Sequence, residues 1–329
     1  VQEASDWARK RKVYAAGSGV LRRGIGVAAG YFGIGLGSLG KHANPAGASL
    51  VVSPDGSVTV AVGTTDSGQG TATALVQIAA ESLGCPVELV RLVESDTSRV
   101  PDSGPTSASR GTVTSGNAIR DAAARIRAAM DPVVGGGGLA WRDAVFACVK
   151  NQVALAAHGW AVPPESTFDP LTGQGEPFMG YTFSAAVAEV EVDAETGETR
   201  VLRVVSGHDA GRIVNPTAAE GQVEGGVVQG LGFALLEEQV LRDGRVGNDE
   251  LATYVVPSAL DAPEVRAVFV EHAFPWGPQG AKGLSDSPVI AVAPAVTAAV
   301  GQATGVRLTE IPATPERIRR ALSLSAGKR

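Results

Sequence analysis

Three glycine-bearing loops in this chain of 329 residues share one chemistry. Asp66-Ser-Gly-Gln-Gly-Thr71 opens a helical pattern. Pro105-Thr-Ser-Ala-Ser-Arg-Gly-Thr112 stands shortly before another, and Gly277-Pro-Gln-Gly-Ala-Lys-Gly283 joins a strand pattern to a third. Small residues let backbone N–H groups come close to a ligand, and helix N-termini add partial positive charge. Arg110 and Lys282 add full charges, while Gln69 and Gln222 add amide donors and acceptors. That set suits a large anionic, hydrogen-bond-rich ligand such as a phosphate-bearing cofactor. The residues alone leave a plainer reading open, a series of ordinary glycine-rich turns.

Other constellations carry less. Gly35-Leu-Gly-Ser-Leu-Gly40 has the form G-x-G-x-x-G, but Lys41-His-Ala-Asn-Pro45 follows it and starts no helix, as a dinucleotide loop would require. His42, His158, His208 and His272 are isolated, none at i,i+4 from another or near a cysteine, so they read as surface or core histidines. No G-x-S-x-G elbow appears, although spacing alone cannot exclude a Ser-His-Asp triad assembled in space. Cys85 and Cys148 lie far apart; no disulfide framework, cysteine-ligated zinc or iron–sulfur ligand set is expected in this chain.

The elements that must position these loops show in the hydrophobic pattern. Residues 47–62 alternate as two strands about Pro54-Asp-Gly56. Ala74, Leu75, Ile78, Ala79 and Leu83 form one stripe of a helix over 71–83, stopped by Gly84. A strand over 87–94, a polar loop over 96–112 and a helix over 117–130 follow. The four-glycine run 135–138 is a break, and 140–159 reads as one more helix. Residues 163–180, rich in Pro, Gly and Thr, mark a boundary. Beyond it, 181–193 and 199–206 are strands around Ala194-Glu-Thr-Gly197. The helix expected over 218–238 carries Gly221, Gly225, Gly226, Gly230 and Gly232. Each interior glycine costs about 1 kcal/mol relative to alanine, so close packing on a buried helix is expected. Residues 251–256 and 264–270 read as strands, and 291–304 as an alanine-rich helix. Thr314-Pro-Glu-Arg317 starts the last helix, with Thr314 as N-cap.

The implied fold is α+β: two α/β sandwich-like subdomains of mixed sheets with packed helices. The expected division is an N-terminal arm at 1–20, a first subdomain at 21–162, a linker at 163–180, a second subdomain at 181–322 and a polar tail at 323–329. Glycine takes 42 of the 329 residues, well above the usual share of about 7%, without a collagen period. A 44% hydrophobic and 19% charged composition excludes a disordered chain. A net charge of −6 argues against nucleic-acid binding. The longest apolar stretches, such as 289–300, are short for a membrane span. No export signal is visible at the start, and the cytoplasm is the expected location.

At the three loops the sequence resembles a known family. Ser67-Gly-Gln-Gly-Thr-Ala-Thr73, Pro101-Asp-Ser-Gly-Pro-Thr-Ser-Ala-Ser-Arg110, Asp209-Ala-Gly-Arg-Ile-Val-Asn-Pro216, Glu220-Gly-Gln-Val-Glu-Gly-Gly226, Gly280-Ala-Lys-Gly283 and Thr314-Pro-Glu-Arg317 together resemble the molybdenum hydroxylases, the xanthine dehydrogenase and aldehyde oxidase family. The order and spacing are similar from about residue 20 to residue 322. The resemblance covers the C-terminal half of the molybdopterin-binding large subunit. It implies a molybdenum–molybdopterin cofactor, in the cytosine dinucleotide form, with 2Fe-2S and FAD groups on partner chains. The N-terminal half of the molybdenum domain would come from another chain or segment.

Residue by residue, the resemblance implies cofactor contacts at Gly68, Gln69 and Gly70, at Ala108, Ser109, Arg110, Gly111 and Thr112, and at Gln222, Lys282 and Gly283, with no direct metal ligand. It places Ala28, Ala29 and Gly30 along a substrate pocket, with small residues that leave that wall open. It also implies a general base. The family's Lys-Gly-x-Gly-Glu-x-Pro motif reads here Lys282-Gly-Leu-Ser-Asp-Ser-Pro288. The acid is Asp286, one methylene shorter than the usual glutamate, with Ser285 where glycine is common. The expected reaction oxidises an electron-poor carbon of an N-heteroaromatic, purine or aldehyde with water as oxygen source. The alternative is a cofactor-holding or assembly subunit with an altered site.

Overall fold

The computed structural model describes residues 1–15, 17–37, 44–93, 95–135, 138–165 and 167–326. Residues 38–40 of the G-x-G-x-x-G run, and His42, lie outside the described residues. Two short helices, α1 (Gln2–Ser5) and α2 (Trp7–Ala15), precede the long strand β1 (Leu21–Gly33). Then come β2 (Ala46–Val52), β3 (Val58–Val62), α3 (Thr71–Leu83), β4 (Val90–Val93), α4 (Gly111–Val134), α5 (Trp141–Lys150) and β5 (Ala156–Ala161). The second half has β6 (Tyr181–Asp193), β7 (Thr199–Asp209), α6 (Pro216–Leu235), the small hairpin β8 (Leu241–Arg242) and β9 (Arg245–Val246), and β10 (Glu264–Phe269). It ends with α7 (Ser287–Ile290), α8 (Val292–Thr304) and α9 (Pro315–Ala326).

Two mixed four-stranded sheets carry the architecture, one in the order β4-β3-β2-β5 and the other β1-β6-β7-β10. In each, one pair is parallel, β3 with β4 and β7 with β10. The first sheet packs on α3 and α4 through Leu50, Val60, Leu75, Ile78, Ile119 and Ile126. The second packs on α6 and α8 through Ala186, Val190, Val223, Val227, Val296 and Ala299. This is the α+β arrangement that the hydrophobic pattern implied. By length and composition Ser287–Thr304 would suffice to cross a membrane. Here that stretch supplies the core of the second layer, with Val292, Ala295, Val296, Ala299 and Val300 fully buried.

Much of the glycine excess serves close packing of helix on sheet. A Cβ on Gly26 would stand 2.1 Å from the carbonyl oxygen of Ala295, so α8 can lie directly on the backbone of β1. A Cβ on Gly226 or Gly230 would stand 2.6 Å from the side chain of Pro288 or Val292, which explains their place in α6. Gly221 and Gly225 do not follow that expectation: they face open space on the exposed side of the helix.

Several elements depart from the sequence reading. The expected helix over 140–159 ends at Lys150. Gln152 turns left-handed (φ 58°), and 156–161 become an edge strand on β2. A helix there would lose the pairing that β2 offers. Leu21–Gly33 is a strand that pairs along its whole length with β6. It therefore belongs to the second sheet, although it precedes the first sheet in the chain. The stretch 251–256 forms no strand, and Leu251 is 91% exposed. Within the expected N-terminal arm, Gln2–Ser5 and Trp7–Ala15 are helical. Lys10 pairs with the buried Glu189 at 2.5 Å, which anchors α2 on the second sheet.

Candidate active site

The N-terminal ends of α3, α4 and α6 converge with loop 277–286 on one cleft of about 470 Å³, within the range of small-molecule sites. Gln69, Gly70, Ala108, Ser109, Arg110, Gly111, Thr112, Gln222, Lys282, Gly283 and Asp286 all line it. Gly68 sits one residue from the lining, at φ 115° with open space around its Cα. Ala28, Ala29 and Gly30 are not brought to this cleft. They pair with Ala186, Ala185 and Ser184 along the edge strand of the second sheet, and Ile290 covers Gly30.

The helix ends differ in what they offer. Asp66 folds back over the start of α3, accepting from the N–H groups of Gly68 (2.9 Å), Gly70 (3.2 Å) and Ala72 (2.9 Å). Burial works against its charge, but these N–H donors outweigh it and hold the carboxyl below its ordinary range. The positive end of α3 is thus already answered within the chain. Among the described residues no side chain caps α4, so the first N–H groups of that helix are the ones left to an anionic group.

The two cations expected to meet an anion point elsewhere. Arg110 is 1% exposed, and its guanidinium donates to the carbonyls of Ser103 (2.8 Å), Pro105 (2.7 Å), Pro45 (3.1 Å) and Asn44. Burial lowers it to about 10, still charged at neutral pH. Lys282 donates to Asp209 Oδ2 at 2.7 Å and stands over the Phe183 ring. Both side chains hold loops together. Gln69 also serves its own loop, bonding the Thr65 carbonyl and the Ser67 N–H.

The loop before α4 is wound tightly. Ala108 (φ 52°) and Ser109 (φ 53°) are both left-handed, a conformation that costs a non-glycine residue about 1 kcal/mol or more. Gly283 lies against this turn: a Cβ there would stand 1.9 Å from the Ser109 carbonyl oxygen. That contact brings Asp286 beside Ser109, whose hydroxyl donates to Asp286 Oδ2 at 2.5 Å. From the third side, Gln222 donates to the Ser285 carbonyl at 2.9 Å. Three chain segments distant in sequence therefore fix one carboxylate on the cleft wall.

Next to Asp286 in the chain, Ser287 joins a buried polar row around His208, a core histidine as its isolation in the sequence implied. His208, 1% exposed, bonds Ser206 Oγ at 2.9 Å and Ser287 Oγ at 3.0 Å. Burial pushes its imidazole down from 6.5 to about 4. Between those values the unfolded chain takes up a proton that the folded chain refuses, so stability falls as pH drops from 6.5 toward 4. His208→Gln, which keeps a donor and an acceptor, is expected to flatten that slope in Tm measured against pH. Equal slopes in the two proteins would exclude His208 as the group responsible. The segment Arg212–Asn215 lines the cleft as well. The 209–216 run carries a sequence signal there, but the pattern gives its side chains no role.

Fold and cleft together set a pocket, lined by three helix N-termini, between two sheet-and-helix layers. The chain belongs to the molybdopterin cofactor-binding domain family, whose model matches residues 1–263. It is 31% identical over 339 aligned positions to the xanthine dehydrogenase molybdenum-binding subunit of Escherichia coli O157:H7, covering 95% of this chain and 44% of that protein. It is 35% identical over 323 residues to xanthine dehydrogenase of rice (Oryza sativa subsp. japonica), covering 91% of this chain and 23% of that protein. The aldehyde oxidoreductase structure from Desulfovibrio gigas superposes with a TM-score of 0.86 at 30% identity, over 98% of this chain and 35% of that one. The chain thus spans less than half the length of these relatives.

Proposed function

We propose that this chain is the molybdopterin-binding portion of a molybdenum hydroxylase that oxidises an electron-poor carbon, with water as the source of oxygen. The observation that carries this reading is the joining of three motif loops around one cleft with a carboxylate, Asp286, on its wall. The open N–H groups of α4, the Ser and Thr hydroxyls at 106, 107 and 112, and the backbone of Gly68–Gly70 and Gly283 form a donor set suited to a phosphate-bearing pterin. The cytosine dinucleotide form is the one proposed. When bound, the molybdenum cofactor supplies the two-electron redox chemistry. The chain's own part is to seat the pterin and to hold Asp286 where it accepts a proton.

The overall change is substrate-H plus water to substrate-OH, two electrons and two protons. The electrons pass to 2Fe-2S and FAD groups on partner chains, in a cytoplasmic assembly that also supplies the rest of the molybdenum domain. Xanthine and aldehydes are the substrates to try first, given the names of the relatives. A second reading, a cofactor-holding subunit without chemistry, draws on the short Asp286 side chain, already engaged by Ser109. Turnover of xanthine and benzaldehyde by the assembled protein in ¹⁸O-water separates the two. Label in the hydroxylated product is expected. Product oxygen drawn from dioxygen, or no turnover by the fully loaded assembly, would contradict the hydroxylase reading.

A further inference from the structure

The hydroxyls around Asp286 form an ordered chain. Ser109 has a single hydroxyl proton, and it lies on Asp286 Oδ2 at 2.5 Å. Across the 2.7 Å contact between the Ser109 and Ser285 hydroxyls, the donor is then Ser285. The Asp286 N–H also donates to Ser109 Oγ, at 3.2 Å. Donation therefore runs from Ser285 to Ser109 to the carboxylate, and each bond polarises the next. A longer contact, 3.4 Å, joins Ser285 Oγ to the same carboxylate oxygen. Among the described residues, every hydrogen bond to this carboxylate falls on Oδ2.

We propose that Ser109 and Ser285 are positioning residues that clamp Asp286 by Oδ2 and present Oδ1 to the cleft; this rests on the reading of Asp286 as the base. A base must come within about 2.6–3.2 Å of its proton, and a short aspartate has little freedom to find that place by itself. The clamp fixes it instead. Its backbone is already held on both sides, by the close approach of Gly283 to the Ser109 carbonyl and by the Gln222 bond to the Ser285 carbonyl. The two hydroxyls then set the last torsion, that of the carboxylate. Ser285 touches the reaction only through Ser109 and Asp286.

The test uses Ser109→Ala, Ser285→Ala and the double variant in the assembled, molybdenum-loaded protein. Each is read by steady-state kinetics with xanthine or benzaldehyde and by crystal structure. Ser109→Ala is expected to release the carboxylate from its place and lower kcat about tenfold or more, with KM within about twofold. Ser285→Ala should lower kcat less, about threefold, and the loss in the double variant should stay below the product of the two single losses, since the shorter of the two contacts of Ser285 runs through Ser109. Multiplying losses in the double variant, an unmoved carboxylate in Ser109→Ala, or unchanged kcat in both single variants would overturn the clamp. If Ser109→Ala does not fold, Ser285→Ala carries the test by the same two readouts. Asp286→Asn is measured alongside. Full turnover there would remove the base reading, while the carboxylate's position in Ser109→Ala would still decide the clamp.

Discussion

Asp286→Asn is expected to cut turnover by about a hundredfold to ten-thousandfold, the usual worth of a positioned general base, while the cofactor stays bound. The substitution keeps the side chain's shape and an oxygen for the Ser109 hydroxyl, so the loop should keep its place. What it removes is the ability to take up a proton at neutral pH. Asp286→Glu separates charge from reach: it restores a carboxylate about 1.5 Å further out, and some turnover should survive. Metal content and kcat measured on the same preparations check this. An asparagine variant that turns over like wild type would leave Asp286 as a hydrogen-bonding wall residue and favour the cofactor-holding reading.

Arg110→Met is expected to cost stability rather than chemistry. Methionine fills a similar volume, but it abandons the carbonyls of Asn44, Pro45, Ser103 and Pro105. A buried acceptor left unpaired costs about 1–3 kcal/mol, so a total loss of about 3 kcal/mol or more is expected even if some carbonyls find water. The loop from Pro101 to Arg110 would loosen from the start of β2, and the left-handed turn at Ala108 and Ser109 would lose its support. Cofactor retention should fall with it, although the guanidinium faces the protein. Arg110→Lys should be intermediate, because a single ammonium cannot serve acceptors spread around a planar fork. Thermal unfolding of the three proteins checks the order. A methionine variant as stable as wild type would show that the carbonyls are satisfied some other way.

What the sequence could tell depended on how local the signal was. The stripe Ala74, Leu75, Ile78, Ala79 and Leu83 faces the core as its period required, and the site loops were legible as runs of small and hydroxyl residues. The direction of a long side chain was not. Arg110 and Lys282 looked like charges for a ligand, but whether a guanidinium turns to solvent or inward depends on which carbonyls the fold gathers around it. The helix expected over 140–159 failed for a related reason: 156–161 become a strand because β2 presents a free edge, a fact of the sheet and not of the segment. Likewise β1 is a strand of the second sheet because Gly24 and Gly26 admit α8 at contact distance, and α8 lies far along the chain. The resemblance pointed to Asp286; the serine pair around it is joined only by the fold, since Ser109 and Ser285 are 176 residues apart.

We propose that the cleft between α3, α4, α6 and residues 281–286 holds the pterin. The most direct measurement is the molybdenum and cytosine-nucleotide content of the protein purified with its partners, wild type against Thr112→Trp. Thr112 is half-buried on the cleft wall in the first turn of α4, and an indole there fills the space while the helix stands. Equimolar molybdenum and nucleotide in the wild type, with both lost from a variant of unchanged Tm, is the predicted result. Equal content in the two proteins would contradict it and place the cofactor elsewhere.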